Sequence, residues 1–200
     1  MIDTVYALME DEAYLYDRIV KQGKYFYSDF NQHLDVVEKL LEVEVGESLR
    51  QSYEKLLFVS VITAMERYLS YTFINTVLDD PSLIRKVVES DPEFQKRKFT
   101  LNQLYEKMDA IKEETGKHLS GIIYHRLEKI SRMYQSVLGV DFPKDIPSVY
   151  KAVKTRHDIV HRNGVDKDGK LLLLEDGEVK NLIDEIKKLV SAIDGQLNSG

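Results

Sequence analysis

The chain has 200 residues, of which 43% are hydrophobic, and its formal net charge is −6. This length and apolar content suit one domain with a proper core. Cysteine is absent, which excludes a disulfide framework and thiolate chemistry, and the negative charge argues against a broad surface that coats nucleic acid.

The sequence offers no membrane partner. No apolar run approaches the length of a membrane span, and the acidic N-terminus lacks the basic-then-apolar layout of a signal peptide. We therefore expect a cytoplasmic location.

Apolar residues recur at helical spacing along the chain, which predicts an all-α fold, a helical bundle in a single domain over residues 1–200. N-terminal helices are expected within residues 1–45, and the strongest pattern predicts a central helix over 47–79 that ends at Asp79-Asp80-Pro81. Inserted or additional helices are expected over 82–140. One of these should end near Gly116, and the next should cover about 118–138.

Residues 146–195 are expected to form a motif helix, a loop and a C-terminal helix. The motif helix should begin at Pro147, a residue suited to the first helical position, and end at the turn signal Asn163-Gly164. Asp168-Gly169 then predicts a short irregular or hairpin-like loop. Asp176 is the expected N-cap of the last helix.

An arginine interrupts the apolar face predicted for the motif helix. At about 100° per residue, Val149, Val153 and Val160 share one face, and Arg156 falls in its middle. A buried guanidinium is costly unless something holds its charge. Either a carboxylate pairs with it, for which Glu66 of the central helix is the candidate, or the face opens onto an anion-binding site.

Polar side chains surround this face. One edge is predicted to carry Tyr150, His157 and His161. The side chains predicted to point away from it are Lys151, Lys154, Asp158 and Arg162. The local charge is therefore positive in an acidic protein, and we expect the polar or substrate-binding support to come from Tyr150, Lys154, His157, Arg162 and Asn163.

The spacing of His157 and His161 is one that metal-binding helices use. However, neither the glutamate of a zincin motif nor a cysteine accompanies them. The sequence also lacks a Walker loop and a dinucleotide-binding glycine motif. We predict no metal site and no cofactor.

Arg156 and His161 suffice for metal-free RNA cleavage. Histidine can move a proton near neutral pH, and arginine can stabilise charge on phosphoryl oxygens, while the substrate supplies its 2′-hydroxyl as nucleophile. An ideal helix separates the two residues by about 140°, so one helix does not aim both at one atom. A distorted helix end, or a dimer that joins two such helices, would bring them together.

The segment from Arg156 to His161, followed by Arg162-Asn163-Gly164, resembles the Arg-x4–6-His motif of the HEPN superfamily (higher eukaryotes and prokaryotes nucleotide-binding domain). The sequence Ile-Val-His-Arg-Asn-Gly is similar to that of prokaryotic defence and RiboL-PSP-type members at the same position. The segment Ser60-Val-Ile-Thr-Ala-Met-Glu-Arg-Tyr-Leu69 is similar to the long helix that such proteins pack against the motif helix.

The resemblance implies an all-α homodimer whose motif helices meet at a cleft, and a metal-independent endoribonuclease that serves as a toxin or in phage defence. It implies Arg156 and His161 as the catalytic pair, with His157 as the supporting polar residue. RNA would be the substrate, and an antitoxin or another regulator is a further expected partner. One branch of the superfamily has a tyrosine two residues after the histidine, through which its members are regulated. This chain has Asn163 at that position, so it lacks that regulatory tyrosine.

Two other functions stay open. In a non-catalytic helical interaction module, Arg156 would be tied to a carboxylate such as Glu66 and the histidines would be structural. In a nucleotide-binding sensor, the same arginine and histidines would hold phosphate without cutting it.

Overall fold

A computed structural model describes residues 25–199, and the predicted N-terminal helix before residue 25 lies outside the described residues. Within that range the chain forms eight α-helices and no β-strand, which confirms the all-α prediction. The helices are α1 (Phe26–Leu41), α2 (Glu47–Asp79), α3 (Pro81–Ser90), α4 (Pro92–Gln95), α5 (Leu104–Ser120), α6 (Leu127–Met133), α7 (Pro147–His161) and α8 (Glu178–Leu197). A 3₁₀ turn, Leu101–Gln103, leads into α5, and a π-helical turn, Tyr134–Leu138, extends α6.

The described residues divide into two compact units. The motif unit comprises residues 27–68 and 141–199, and the middle unit comprises 69–140 with residues 25–26. The single domain over 1–200 stays a prediction. None of the described helices is long and apolar enough to cross a membrane.

The core of the motif unit forms around α8, which places an apolar residue inward at every third or fourth position. Its buried side chains are Val179, Leu182, Ile183, Ile186, Leu189, Val190 and Ile193. Each is worth about 1.5–3 kcal/mol relative to an exposed position. Polar contacts hold this helix near its C-terminal end, where the Tyr68 hydroxyl donates to Asp194 Oδ1 at 2.9 Å, and in its middle, where Lys187 pairs with Glu38 at 2.8 Å.

The start of α8 differs from the prediction. Gly177, with φ of 77°, occupies the N-cap position, so the prediction of Asp176 as the cap is wrong. Asp176 instead accepts a hydrogen bond from Arg50 Nη2 at 2.8 Å. The Glu178 carboxylate accepts from the Glu175 amide at 2.8 Å and so satisfies one donor of the incoming chain.

The middle unit packs around Tyr134, which is fully buried. Its hydroxyl donates to the Leu69 carbonyl at 2.7 Å, and its ring lies 5.0 Å from that of Phe73. The helix break predicted near Gly116 is wrong, because α5 continues through that buried glycine to Ser120. Burial of Leu119 in the next turn outweighs the cost of about 1 kcal/mol that a helical glycine carries.

Candidate active site

The motif helix α7 begins and ends where its sequence predicts. Pro147 is the first helical residue and His161 the last. Asn163 and Gly164 follow in left-handed conformations, with φ of 53° and 76°. The amides of Arg162 and Gly164 both donate to the Asp158 carbonyl, at 3.1 and 3.2 Å, which closes the helix end.

A hairpin-like loop follows, as predicted. Val165 and Leu171 form an isolated antiparallel bridge, and the Leu172 amide donates to the Gly164 carbonyl at 2.8 Å. The Asp166 carboxylate accepts from the amides of Asp168 and Lys170, both at 2.9 Å, which tightens the turn. These hydrogen bonds hold the pKa of Asp166 below its usual value, that from the Lys170 amide contributing most.

Helix α2 places a cation beside the turn that ends α7. A Cβ atom on Gly164 would lie 3.2 Å from Nζ of Lys55. Lys55 could not be singled out from the sequence, because nothing in the local pattern of α2 distinguishes it from other lysines on a helix surface.

Arg156 faces the carboxylate that the sequence singled out. Its Nη2 lies 3.9 Å from Oε1 of Glu66, and the two side chains are 17% and 21% exposed. This distance allows an ion pair but is too long for a hydrogen bond. Nε of Arg156 is buried and has no hydrogen-bond partner among the described residues. Arg156 thus holds a largely buried charge with spare hydrogen-bonding capacity.

The two motif histidines lie side by side on the surface. His157 and His161 are both exposed, and their ring centroids are 4.8 Å apart with the planes tilted by 45°. His161 is the last residue of α7, so no further helical turn follows it.

The apolar face of α7 is only partly buried. Val149 is buried, but Val160 is 45% exposed and Tyr150 39% exposed. The side of α7 that is buried in the core includes Ala152, which is 6% exposed, rather than Val160. Val160 and Tyr150, together with His157, His161 and the half-buried Val153, cover an arc of about 100° around the axis of α7, next to Arg156. We call this arc, formed by Tyr150, Val153, His157, Val160 and His161, the motif face.

Asp158, predicted to lie on the side of α7 away from the apolar face, is buried. It is 5% exposed, and its carboxylate pairs with Nη1 of Arg162 at 3.1 Å. A helical wheel gives the direction of a side chain but not its burial. The other predicted supporting residues, Lys154 and Asn163, are exposed.

No metal cluster joins the predicted pair in the part of the chain that the structure describes. No group of three or more histidine or carboxylate side chains within residues 25–199 could hold a metal ion. A cavity of about 200 Å³ beside α7 is lined by Lys151 and Thr155 on its other side and includes neither Arg156 nor His161. Of the predicted pair, Arg156 is largely buried and His161 is exposed.

Comparison with known proteins links this surface to one family. A family model described as RiboL-PSP-HEPN matches residues 27–199, a span that contains the whole of α7. Comparisons with curated proteins and with solved structures found no match.

Proposed function

Because the chain belongs to the RiboL-PSP-HEPN family, we propose that it is a metal-independent endoribonuclease with Arg156 and His161 as catalytic residues. The observation that carries the proposal is the placement of this pair. Arg156 Nη2 lies 3.9 Å from Glu66 Oε1, its buried Nε has no hydrogen-bond partner among the described residues, and the His161 ring is exposed at the end of α7.

The proposed reaction needs only proton transfer and charge stabilisation. His161 takes the proton of the 2′-hydroxyl, and the 2′-oxygen then attacks the adjacent phosphorus. The bond from phosphorus to the 5′-oxygen breaks, and a second imidazole protonates the leaving oxygen. The products are a 2′,3′-cyclic phosphate and a 5′-hydroxyl. Arg156 stabilises the charge that builds on the non-bridging oxygens.

A homodimer completes this site in our proposal. The angle of about 140° between Arg156 and His161 keeps one helix from aiming both at one phosphate. The motif face leaves Val160 and Tyr150 exposed beside the histidines, and apolar groups on a surface favour association. A second copy of α7 packed on this face would supply the second arginine and histidine around one cleft.

The biological role that we propose is RNA cleavage in a toxin–antitoxin or antiviral defence system, with an antitoxin or similar regulator as partner. A covered motif face would block the cleft, so a regulator that binds there would silence the enzyme. The support is the family membership and the exposure of the motif face.

The proposal is tested by cleavage of a mixed-sequence RNA in the presence of EDTA. Arg156→Ala and His161→Ala should each lower the cleavage rate by about 100-fold or more, because removal of one charge-stabilising or proton-transfer group costs that much. Arg85→Ala and His33→Ala, which change the same residue types elsewhere, should cleave like the parent. Mapping the RNA ends should find cyclic phosphates.

Three results would overturn this mechanism: full activity in either motif variant, loss of the parent's activity with EDTA, or 5′-phosphate products. Size measurements by light scattering add an independent check. Val160→Asp should convert the parent dimer to a monomer and abolish cleavage, since a charge in the apolar contact is costly. A monomeric parent that cleaves RNA would refute the shared cleft.

A second candidate function is a non-catalytic interaction module, and the contact between Arg156 and Glu66 favours it. In that case the arginine is a structural ion pair, and the motif face binds a protein partner. Arg156→Ala would then lower stability without any cleavage activity to lose.

A further inference from the structure

The middle unit contains a basic cleft with a volume of about 570 Å³. Four cationic side chains, Arg97, Lys117, Arg126 and Lys129, line it together with one carboxylate, Glu114. This balance is opposite to that of the chain, whose net charge is −6. None of these residues belongs to the proposed catalytic motif.

The single carboxylate does not neutralise the cleft. Glu114 Oε2 accepts from Arg97 Nη1, and Glu114 Oε1 accepts from Lys107 Nζ, both at 2.9 Å. These cations, Lys107 foremost, hold the pKa of Glu114 below its usual value. Arg97 also lies over the Phe94 ring, 4.5 Å from its centroid, so its guanidinium is held in place from two sides.

A histidine at the cleft is equally well fixed. Nε2 of His118 lies 2.9 Å from Asp91 Oδ2, and its ring meets the Phe94 ring edge-on at 5.0 Å. Asp91 in turn accepts from the Glu93 amide at 2.8 Å and caps α4. Partial burial works to raise the pKa of Asp91, but the hydrogen bonds from His118 and Glu93 outweigh it and lower the value.

Lys117 pairs with Glu113 at 2.6 Å, so Arg126 and Lys129 are the cleft cations that a ligand would meet. Arg126 and Lys129 are exposed, and neither forms an ion pair with a carboxylate in the described part of the chain. Arg126 is the N-cap of α6 and Lys129 lies in its first turn, and both line the cleft. Two like charges held together repel, and a bound anion would relieve that repulsion.

The cleft also has an apolar wall, formed by Ile122 and by Ile123, which is 43% exposed. A cavity of this volume is in the range of small-ligand sites. We propose that this cleft binds the phosphate of a nucleotide unit through Arg126, Lys129 and Arg97, with the sugar or base against Ile122 and Ile123. The phosphate comes either from the backbone of single-stranded RNA or from a free nucleotide.

The test measures binding to the full-length protein by calorimetry and fluorescence anisotropy, with a 2′-O-methyl RNA dodecamer and with ATP. This RNA cannot be cleaved by 2′-hydroxyl attack, so the result does not depend on whether Arg156 and His161 cut RNA. Arg126→Gln/Lys129→Gln should weaken binding of at least one probe by about tenfold or more. If RNA is the ligand, the salt dependence of its affinity should fall by about 0.7 in log–log slope, since the contact with one phosphate is lost.

The matched control is Arg85→Gln/Arg132→Gln, which removes the same charge from exposed positions of the middle unit that do not line the cleft. Its affinity for each probe should be within about twofold of the parent's affinity. Weakened RNA binding with unchanged ATP binding identifies the backbone as the source, and weakened ATP binding identifies a free nucleotide. Unchanged binding of both probes by the cleft variant, or an equal loss in the control, would overturn the proposal.

Discussion

The carboxylate of Glu66 is the group whose removal tests how Arg156 is held. Glu66→Gln keeps the shape of the side chain and removes its charge, so Arg156 loses the ion pair at 3.9 Å. The gross attraction at this distance is about 4 kcal/mol for an effective dielectric constant of about 20. Desolvation of both groups offsets much of it, and the side chains stay about a fifth exposed. We expect a net loss of about 1–2 kcal/mol in the free energy of unfolding.

Urea denaturation of four proteins measures this energy: the parent, Glu66→Gln, Arg156→Ala and the double variant. The loss of unfolding free energy in the double variant should be smaller, by about 1 kcal/mol, than the sum of the losses in the two single variants. Glu54→Gln is the matched control on the same helix, because its partner Arg50 is 48% exposed. That surface pair should contribute less than about 1 kcal/mol. A coupling energy below about 0.3 kcal/mol between Glu66 and Arg156 would refute the reasoning.

RNA cleavage by the same variants separates the two proposed functions. If Arg156 contacts the phosphate, Glu66→Gln should keep more activity than Arg156→Ala, because the guanidinium remains. Equal loss of stability in the two variants, with no cleavage by the parent, would support the interaction module instead.

Three further predictions concern the end of α7 and the middle unit. Gly164→Ala should lower stability by about 1–2 kcal/mol, because φ is 76° there and the new methyl group would meet Lys55; a thermal melt unchanged within error would contradict this. Asp158→Asn should cost about 1–3 kcal/mol in urea denaturation, since the buried carboxylate pairs with Arg162, and an effect no larger than that of Asp168→Asn would count against it. Asp91→Asn should lower stability by about 1 kcal/mol at neutral pH, because the amide can still cap α4 but loses the charge that strengthens the hydrogen bonds from His118 and Glu93. Since folding lowers the pKa of Asp91, its contribution is complete above the ordinary value of 3.8 and is lost as the pH falls through the lower folded value. The curves of parent and variant should therefore converge in acid, and parallel curves would refute the assignment.

Local chemistry explains why several elements were predictable. Pro147 fixes the backbone at the first position of α7, and Asn163 with Gly164 tolerates the left-handed turn that ends it. Likewise, Asp80 and Pro81 separate α2 from α3, where the Asp80 carboxylate accepts from the Ser82 amide at 2.7 Å. Each of these signals acts within a few residues, so the sequence alone carries it.

Packing between distant segments explains the errors. The helical wheel of α7 placed Asp158 away from the apolar face with three cations, but Asp158 is buried and pairs with Arg162, and a periodicity argument cannot show that burial. The same wheel treated Val160 as core, although the core contact rotates toward Ala152. Gly116 was read as a helix break, but burial of its neighbours keeps α5 continuous.

The sequence by itself determined the helical class, the bounds of α2 and α7, and the resemblance to the family whose model matches residues 27–199, because helix periodicity and turn chemistry are local. Only the tertiary structure decided what surrounds the motif. It set the distance from Arg156 to Glu66, the approach of Lys55 to Gly164, and the basic cleft around Arg126. These features join side chains that are far apart in the sequence, and packing alone determines which of them meet.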